Sequence, residues 1–229
     1  MKMLNLSRLA AFAGCLLLIS GASAQINPVD IPPPVPDEND AGLLGKSYFA
    51  FDANLGKYRN APSSPTGFGG DIAINVEATD NLDLGFGYDF KTAKNTAWSA
   101  TDNVGRIYGT GFVKYAHVSP YLTAGLGYGW EHSRQAAGTP VEGTRFNRAL
   151  YDTGAGVEVP LISTASVRLG VDYEDCFRRP HPKDLSYQLA LDYIFDDTFC
   201  TDIGANLQDG RNGNRDEIVY HAGFRVIFD

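Results

Sequence analysis

An alternation with a period of two residues is the feature that most constrains the fold of this chain. Residues 121–132 read YLTAGLGYGWEH, with most apolar or aromatic side chains on one parity and the small or charged residues on the other. In a β-strand this period places Leu126 and Trp130 on one face and Gly127 and Glu131 on the opposite face. The stretch therefore predicts a strand with one apolar face.

The same alternation recurs from residue 46 to the end of the chain. Ten segments carry it, the fourth with mixed parity: 49–56, 71–78, 82–91, 105–116, 121–131, 148–158, 165–174, 187–195, 199–207 and 217–228. One all-β domain is the economical interpretation, because β-barrels of about 200 residues are commonly single domains.

The connections between these segments alternate in length. Four are short, at 78–81, 117–120, 160–163 and 196–198, whereas five are longer, at 59–68, 92–103, 133–144, 176–184 and 208–215. This alternation is typical of an up-and-down antiparallel barrel with turns at one end and loops at the other.

The first 24 residues have the pattern of a cleaved secretory signal. Lys2 and Arg8 precede an apolar run over 9–19, and Ala22-Ser-Ala24 supplies the small residues of a cleavage site. A lipid-modified Cys15 is the alternative. Beyond the signal, no apolar run reaches the roughly 18 residues that a membrane helix needs, so any membrane insertion must use strands.

Residues 25–45 are predicted to form a separate, Pro-rich and acidic periplasmic segment before a barrel at 46–229. Five prolines and four acidic residues lie within 25–44, which favours an extended, polyproline-like chain or a disordered terminus over a packed element.

Charge and cysteine content limit the partners and the covalent chemistry. Without the signal, 17 basic residues stand against 27 acidic ones, which disfavours nucleic acid as a partner. Cys176 and Cys200 remain in the mature chain. We expect them to stay unbridged, because the predicted topology places them near opposite ends of the barrel and a disulfide spans at most about 7 Å between Cα atoms.

Two segments carry a resemblance to a known group of proteins. YLTAGLGYGW after Ser119-Pro120, together with the last strand IVYHAGFRVIF, resembles the small outer-membrane β-barrels of Gram-negative bacteria, the OmpA-type and opacity or porin-like family. The resemblance covers residues 46–229 and implies a transmembrane barrel in the outer membrane. It also implies contact with lipid and lipopolysaccharide, and assembly by the barrel-assembly machinery. Small members commonly have eight strands, which is the alternative to ten, and Asp229 follows Phe228 where the family usually ends in an aromatic residue.

Charged residues on the inward parity are the candidate functional residues of the lumen. They are Asp52, Glu77, Asp83, Asp89, Lys114, Glu131, Arg148, Asp152, Glu158, Arg168, Asp172, Asp202 and Arg225. A barrel of ten strands has a narrow bore, so these charges require partners inside it. The sequence favours a filled, non-conducting lumen and a structural or surface-interaction role. A narrow porin-like channel with a preference for cations is the alternative.

The sequence does not favour an enzyme, a metal site or a cofactor. His132 lies between Glu131 and Ser133, but neighbours on a strand point in opposite directions and form no catalytic relay. Glu174 and Asp175 with His181 carry no recognised protease motif, and no histidine or cysteine cluster has the spacing of metal ligands. A rim-site hydrolase and a soluble lipocalin-like barrel remain minor alternatives.

A basic loop follows the seventh predicted strand. Arg178, Arg179 and Lys183 lie in the segment CFRRPHPKD. We expect these side chains to pair with lipopolysaccharide phosphates, because guanidinium groups bind phosphate in a bidentate manner. A basic loop that is only solvated is the alternative. The sequence does not indicate any other ligand at the surface.

Overall fold

Ten antiparallel strands close into one barrel. The computed structural model describes residues 42–58, 66–94, 98–115, 117–135, 144–177, 184–210 and 217–228. The strands are β1 Ser47–Tyr58, β2 Thr66–Thr79, β3 Leu82–Lys94, β4 Trp98–Phe112, β5 Ser119–Gln135, β6 Thr144–Ile162, β7 Ala165–Cys176, β8 Asp184–Ile194, β9 Phe199–Gly210 and β10 Glu217–Phe228. The predicted all-β, up-and-down barrel is confirmed, with ten strands and not eight.

The first and last strands complete the ring. β1 pairs with β10 in antiparallel register from Ser47 opposite Phe228 to Tyr58 opposite Glu217, and every other strand pairs with its neighbours in sequence. The described strands therefore leave no free sheet edge, which satisfies the backbone groups that an open sheet would expose. We call the end with the short connections the turn end and the opposite end the loop end.

The two faces of the wall differ as the alternation predicts. Large apolar side chains are exposed on the exterior all round the ring, for example Ile107 on β4, Leu189 on β8 and Ile203 on β9. The inward positions carry charged, small or buried side chains, such as Asp192 and Ala190 on β8. In the part of the chain that the structure describes, no helix is long and apolar enough to cross a membrane.

Several strands run further than the sequence pattern indicates. β4 begins at Trp98, although residues 92–103 were predicted as a long loop, and it ends at Phe112 instead of residue 116. Thr101 and Asp102 pair with His132 and Glu131 of β5. The outward positions of this extension, Ser99, Thr101 and Asn103, are polar, so it lacks the apolar exterior face from which the other strands were predicted.

The two cysteines of the mature chain lie far apart on the inward face. Cys176 packs with Val104 and Leu150 near the loop end, whereas Cys200 packs with Leu43 and Ile194 near the turn end. Both are buried and free, which confirms the prediction that they stay unbridged.

Candidate functional site

An acidic cavity of about 890 Å³ occupies the lumen toward the loop end. Its lining includes ten carboxylates against five lysine or arginine side chains. The carboxylates are Asp52, Asp71, Asp89, Asp102, Glu131, Asp152, Asp172, Glu174, Asp184 and Glu217, and the bases are Lys91, Arg106, Arg148, Arg168 and Arg225. Such a surplus of one sign raises the local concentration of counter-ions of the opposite sign.

Ion pairs cross the bore inside this cavity. Arg106 on β4 places Nη2 2.7 Å from Asp89 Oδ2 on β3 and 3.5 Å from Glu174 Oε2 on β7. Arg148 on β6 places Nη2 2.6 Å from Asp102 Oδ2 on β4, with Nη1 3.7 Å from Glu131 Oε2 on β5. The pairs narrow the lumen toward the loop end. Two of them, Arg106 with Glu174 and Arg148 with Asp102, join strands that are not neighbours in the sheet.

Nearest the loop end, Lys91 on β3 pairs with Glu217 on β10. The Glu217 side chain is 3% exposed, although it lies at the first position of its strand. An ion pair that is largely removed from water costs desolvation, and the mutual attraction of its two partners offsets that cost.

A second set of charges forms the floor of the cavity. Arg168 donates in a bidentate manner to Asp192, with Nε 2.7 Å from Oδ2 and Nη2 2.9 Å from Oδ1. Arg225 pairs with Asp202. We call these four residues the ion-pair layer. The Asp192 and Asp202 side chains are fully buried, whereas those of Arg168 and Arg225 are 17% and 8% exposed and line the cavity, so the layer is largely removed from water.

Neighbouring side chains complete the ion-pair layer. His221 Nε2 lies 3.2 Å from Asp202 Oδ2, and Asp52 Oδ2 lies 3.8 Å from Arg225 Nη2. The guanidinium carbon of Arg225 lies 5.8 Å from the centre of the Tyr48 ring. Contacts of this kind compensate part of the cost of removing the charges from water.

Below the ion-pair layer, residues 42–46 fold into the turn end of the barrel. We call this segment the N-terminal turn. Lys46 N donates to Leu43 O at 3.2 Å, and Gly45 has a φ of 70°, which together close a tight turn. Leu43 is 2% exposed and packs against Ile194 and Cys200. Residues 42–45 belong to the stretch that the sequence predicts to be extended or disordered, and the prediction did not foresee the burial of Leu43 and Leu44.

The wall of the barrel binds this turn through its backbone. Leu43 N and Leu44 N donate to the two carboxylate oxygens of Glu158 at 2.9 Å and 3.3 Å. Gly45 N donates to Asp83 Oδ2 at 3.0 Å, and Asn75 Nδ2 donates to Lys46 O at 2.9 Å. Glu158, Asp83 and Asn75 are all at most 3% exposed. The predicted lumen charges Glu158 and Asp83 thus hold the N-terminal turn, a role that the sequence did not indicate.

Asp202 belongs to the ion-pair layer, and the remaining predicted lumen charges fall into two groups. One group lines the cavity and comprises Asp52, Asp89, Glu131, Arg148, Asp152, Arg168, Asp172 and Arg225. The other group, Glu77 and Lys114, does not line the cavity. Glu77 lies near the end of β2 and is exposed, and Lys114 is also exposed, because β4 ends at Phe112 and leaves it in the connection to β5. Arg178, Arg179 and Lys183 lie outside the described residues.

Sequence reasoning missed several members of the site. Arg106 was hidden by the mixed parity of residues 105–116, and Asp102 by the assignment of 92–103 to a loop. The inward parity of Asp192 was a sufficient signal for it, because it follows the alternation of β8. Each missed residue pairs with an oppositely charged side chain on a different strand.

Two neighbouring acidic residues near the loop end point in different directions. Glu174 points into the lumen toward Arg106, whereas its neighbour Asp175 accepts hydrogen bonds from the Tyr151 and Tyr173 hydroxyls, each at 3.2 Å. His181 lies outside the described residues. Among the residues whose placement is described, no three His, Cys, Asp or Glu side chains form a possible metal site.

No protein-family model matches the chain, and no curated protein matches it either. Similar solved structures include Neisserial surface protein A, with 14% identity over 80% of this chain and 97% of that one, at a TM-score of 0.44. The translocator domain of the autotransporter NalP from Neisseria meningitidis has 10% identity, covers 97% and 98% of the two chains, and gives a TM-score of 0.45. The COG4313 outer membrane channel from Pseudomonas putida F1 has 9% identity, covers 86% and 100%, and gives a TM-score of 0.44. The fold assigned here rests on the strand pairing of the chain itself.

Proposed function

We propose that this chain is an integral outer-membrane β-barrel with a closed lumen and a non-enzymatic, structural or surface-interaction role. The observation that carries the proposal is the contrast between the two faces of the wall. Ile107, Ile203 and Leu189 expose 60%, 59% and 52% of their surface on the exterior, whereas the ion-pair layer is buried inside.

The exterior fits a lipid environment. Soluble monomers rarely expose contiguous apolar patches of more than a few hundred Å², and here large apolar side chains are exposed on all ten strands. A lipocalin-like barrel places its apolar face inside and its charges outside, which is the reverse of this arrangement. A polar lumen with an apolar exterior is the arrangement of transmembrane barrels of the bacterial outer membrane.

Aromatic side chains near both ends of the wall support the same placement. Trp130 and Tyr220 are exposed toward the loop end, and Tyr193 and Phe195 are exposed toward the turn end. Amphipathic aromatic rings concentrate at the two membrane–water interfaces. The predicted export signal at 1–24 supplies the route to the outer membrane.

The proposed surface role places the loop end outside the cell. Lipopolysaccharide is the partner that the basic residues Arg178, Arg179 and Lys183 suit by charge. The barrel-assembly machinery is the proposed partner for insertion.

The electrical behaviour of the purified protein tests the closed lumen. The mature chain, reconstituted in planar bilayers, is expected to give no steady conductance, because ten strands enclose a narrow bore and the ion-pair layer places four large side chains in it. Faster migration of the unheated protein on gels checks that the barrel is folded. Stable channels from the folded, unmodified protein would reject the closed lumen and favour the narrow porin-like channel.

A further inference from the structure

The N-terminal turn touches opposite walls of the barrel at once. Gly45 N binds Asp83 on β3, whereas Leu43 packs against Ile194 on β8. In the ring order β3 and β8 are five strands apart in either direction. A segment of five residues that reaches both walls spans the bore at the turn end.

The wall of the barrel provides a specific binding site for the N-terminal turn. Glu158 offers both carboxylate oxygens to two consecutive backbone N–H groups, and the fixed positive φ of Gly45 presents a third N–H to Asp83. Buried carboxylates demand partners. Glu158 and Asp83 accept hydrogen bonds from backbone N–H groups of the N-terminal turn, which precedes the first strand.

We propose that the N-terminal turn is an intramolecular plug that closes the turn end of the lumen in series with the ion-pair layer. The inference rests on the proposed closed barrel. In that barrel the ion-pair layer is one barrier to ions, and residues 42–46 form the other. Because the wall holds the plug through hydrogen bonds and one apolar contact cluster and not through a strand pairing, it can leave while the barrel stays closed as a sheet.

A disulfide trap tests the docking directly. Leu43 shares one buried cluster with the free Cys200, so Leu43→Cys is expected to form a disulfide with Cys200 when the purified, folded barrel is oxidised. The monomer then loses both of these thiols to a thiol reagent. Leu43→Cys combined with Cys200→Ser is the matched control and keeps its thiol, because Cys176 lies toward the loop end. The thiols are counted after the oxidised barrel has been unfolded. If a folded Leu43→Cys barrel still has three reactive thiols after oxidation, the turn is not docked against Cys200.

Conductance tests the closure in a background with an opened ion-pair layer. Arg168→Ala with Asp192→Ala removes both partners of one buried pair, which leaves no lone charge from that pair. We expect this background to stay closed with the turn in place. Deletion of residues 25–45 is expected to raise the mean current about tenfold or more, since hydrogen bonds to charged groups shift a docking equilibrium by that order.

A point variant covers the case in which the deletion prevents folding. Gly45→Val places a β-branched residue at a φ of 70° and a Cβ 3.1 Å from Phe112 Cζ, so the turn is expected to undock and the current to rise. Gly105→Val, where a Cβ meets nothing within 4 Å, is the matched control and leaves the current unchanged. Oxidised Leu43→Cys in the same background is expected to carry less current than its reduced form.

The outcomes separate the two proposals. Equal currents with and without the turn, in folded barrels of the opened background, overturn the plug and leave the closed wild-type barrel intact. Steady current from the wild type rejects the closed barrel, while the disulfide result still decides whether the turn is docked.

Discussion

Glycines on the inward face of β5 make room for larger side chains of β6. Gly125 lies opposite Asp152 and Gly127 opposite Leu150 in the register. A Cβ at 125 would lie 2.6 Å from Asp152 Oδ1, and one at 127 would lie 2.7 Å from Leu150 Cδ1. The alternating glycines of the sequence are therefore a packing requirement, because the partner strand lays its side chains over their backbone.

Two adjacent residues of β8 give a sharp test of the wall. Leu189 is exposed on the exterior near the middle of the strand, whereas Gln188 lines the acidic cavity. Leu189→Arg is expected to lower the free energy of unfolding in lipid vesicles by about 2 to 4 kcal/mol, the cost of Arg near the bilayer midplane. Denaturant titration of the folded fraction measures it.

Gln188→Arg is the matched control, and we expect a much smaller change because its guanidinium faces carboxylates. Equal losses of stability in the two variants would contradict the assigned faces.

At the scale of the elements, the seam between β1 and β10 joins the two ends of the sequence. Aromatic side chains cross it on the exterior. The Phe51 and Phe224 rings stack at 5.0 Å with an interplanar angle of 18°, and the Phe49 and Phe228 rings lie 5.0 Å apart. Such pairs add to the hydrogen bonds of the register and favour closure at this pairing.

A double-mutant cycle across the seam measures this contribution. Phe51→Ala and Phe224→Ala are expected to couple by about 0.5 to 1.5 kcal/mol in the free energy of unfolding, the range for aromatic pairs. Phe51→Ala with Leu189→Ala, on distant strands, serves as the reference and should be additive within about 0.5 kcal/mol. Additivity in both cycles would show that the stacked rings do not stabilise the seam.

The alternation was sufficient to predict the strands and their faces, because each strand separates an apolar exterior from a charged interior. It was insufficient at the loop end, where the outward positions Ser99, Thr101 and Asn103 are polar although they pair with β5. It also failed for the N-terminal turn. Leu43 and Glu158 are separated by 115 positions, and the five residues of the turn carry no period from which such a contact could be inferred.

Parity places charges in the lumen but does not assign their depth or partners. Arg148 and Arg168 share the inward parity, yet Arg148 lies opposite Gly129 toward the loop end, and Arg168 lies opposite Glu158 toward the turn end. The two arginines therefore lie at different depths of the lumen and belong to separate ion pairs. Arg148 pairs with Asp102 in the cavity, and Arg168 pairs with Asp192 in the floor.

At the scale of the whole molecule, charge is distributed unevenly along the lumen. The cavity toward the loop end has ten carboxylates and five bases in its lining. Below it, each arginine of the ion-pair layer contacts a buried aspartate, and backbone N–H groups donate to Glu158 and Asp83. The surplus of negative charge thus lies in the roomy part of the lumen, where water and mobile ions can compensate it.

This distribution predicts the selectivity of the opened barrel. Arg168→Ala with Asp192→Ala removes one positive and one negative charge, so the net charge of the lumen is unchanged, and deletion of 25–45 removes the plug. Currents through this variant are expected to favour cations, because uncompensated carboxylates raise the cation concentration along the path. The reversal potential across a potassium chloride gradient measures the preference. It should weaken as ionic strength rises, since the Debye length falls from about 10 Å at 0.1 M to about 3 Å at 1 M.

Neutralising one carboxylate of the cavity tests whether the cation preference comes from the cavity lining or from the net charge of the whole protein. Glu131→Gln in the opened barrel removes a charge from the lining, whereas Asp80→Asn removes one from an exposed turn outside the lumen. The first change should reduce the cation preference and the second should leave it unaltered, although both alter the net charge equally. A preference for anions, or equal effects of the two variants, would show that the acidic cavity does not lie on the path of the ions.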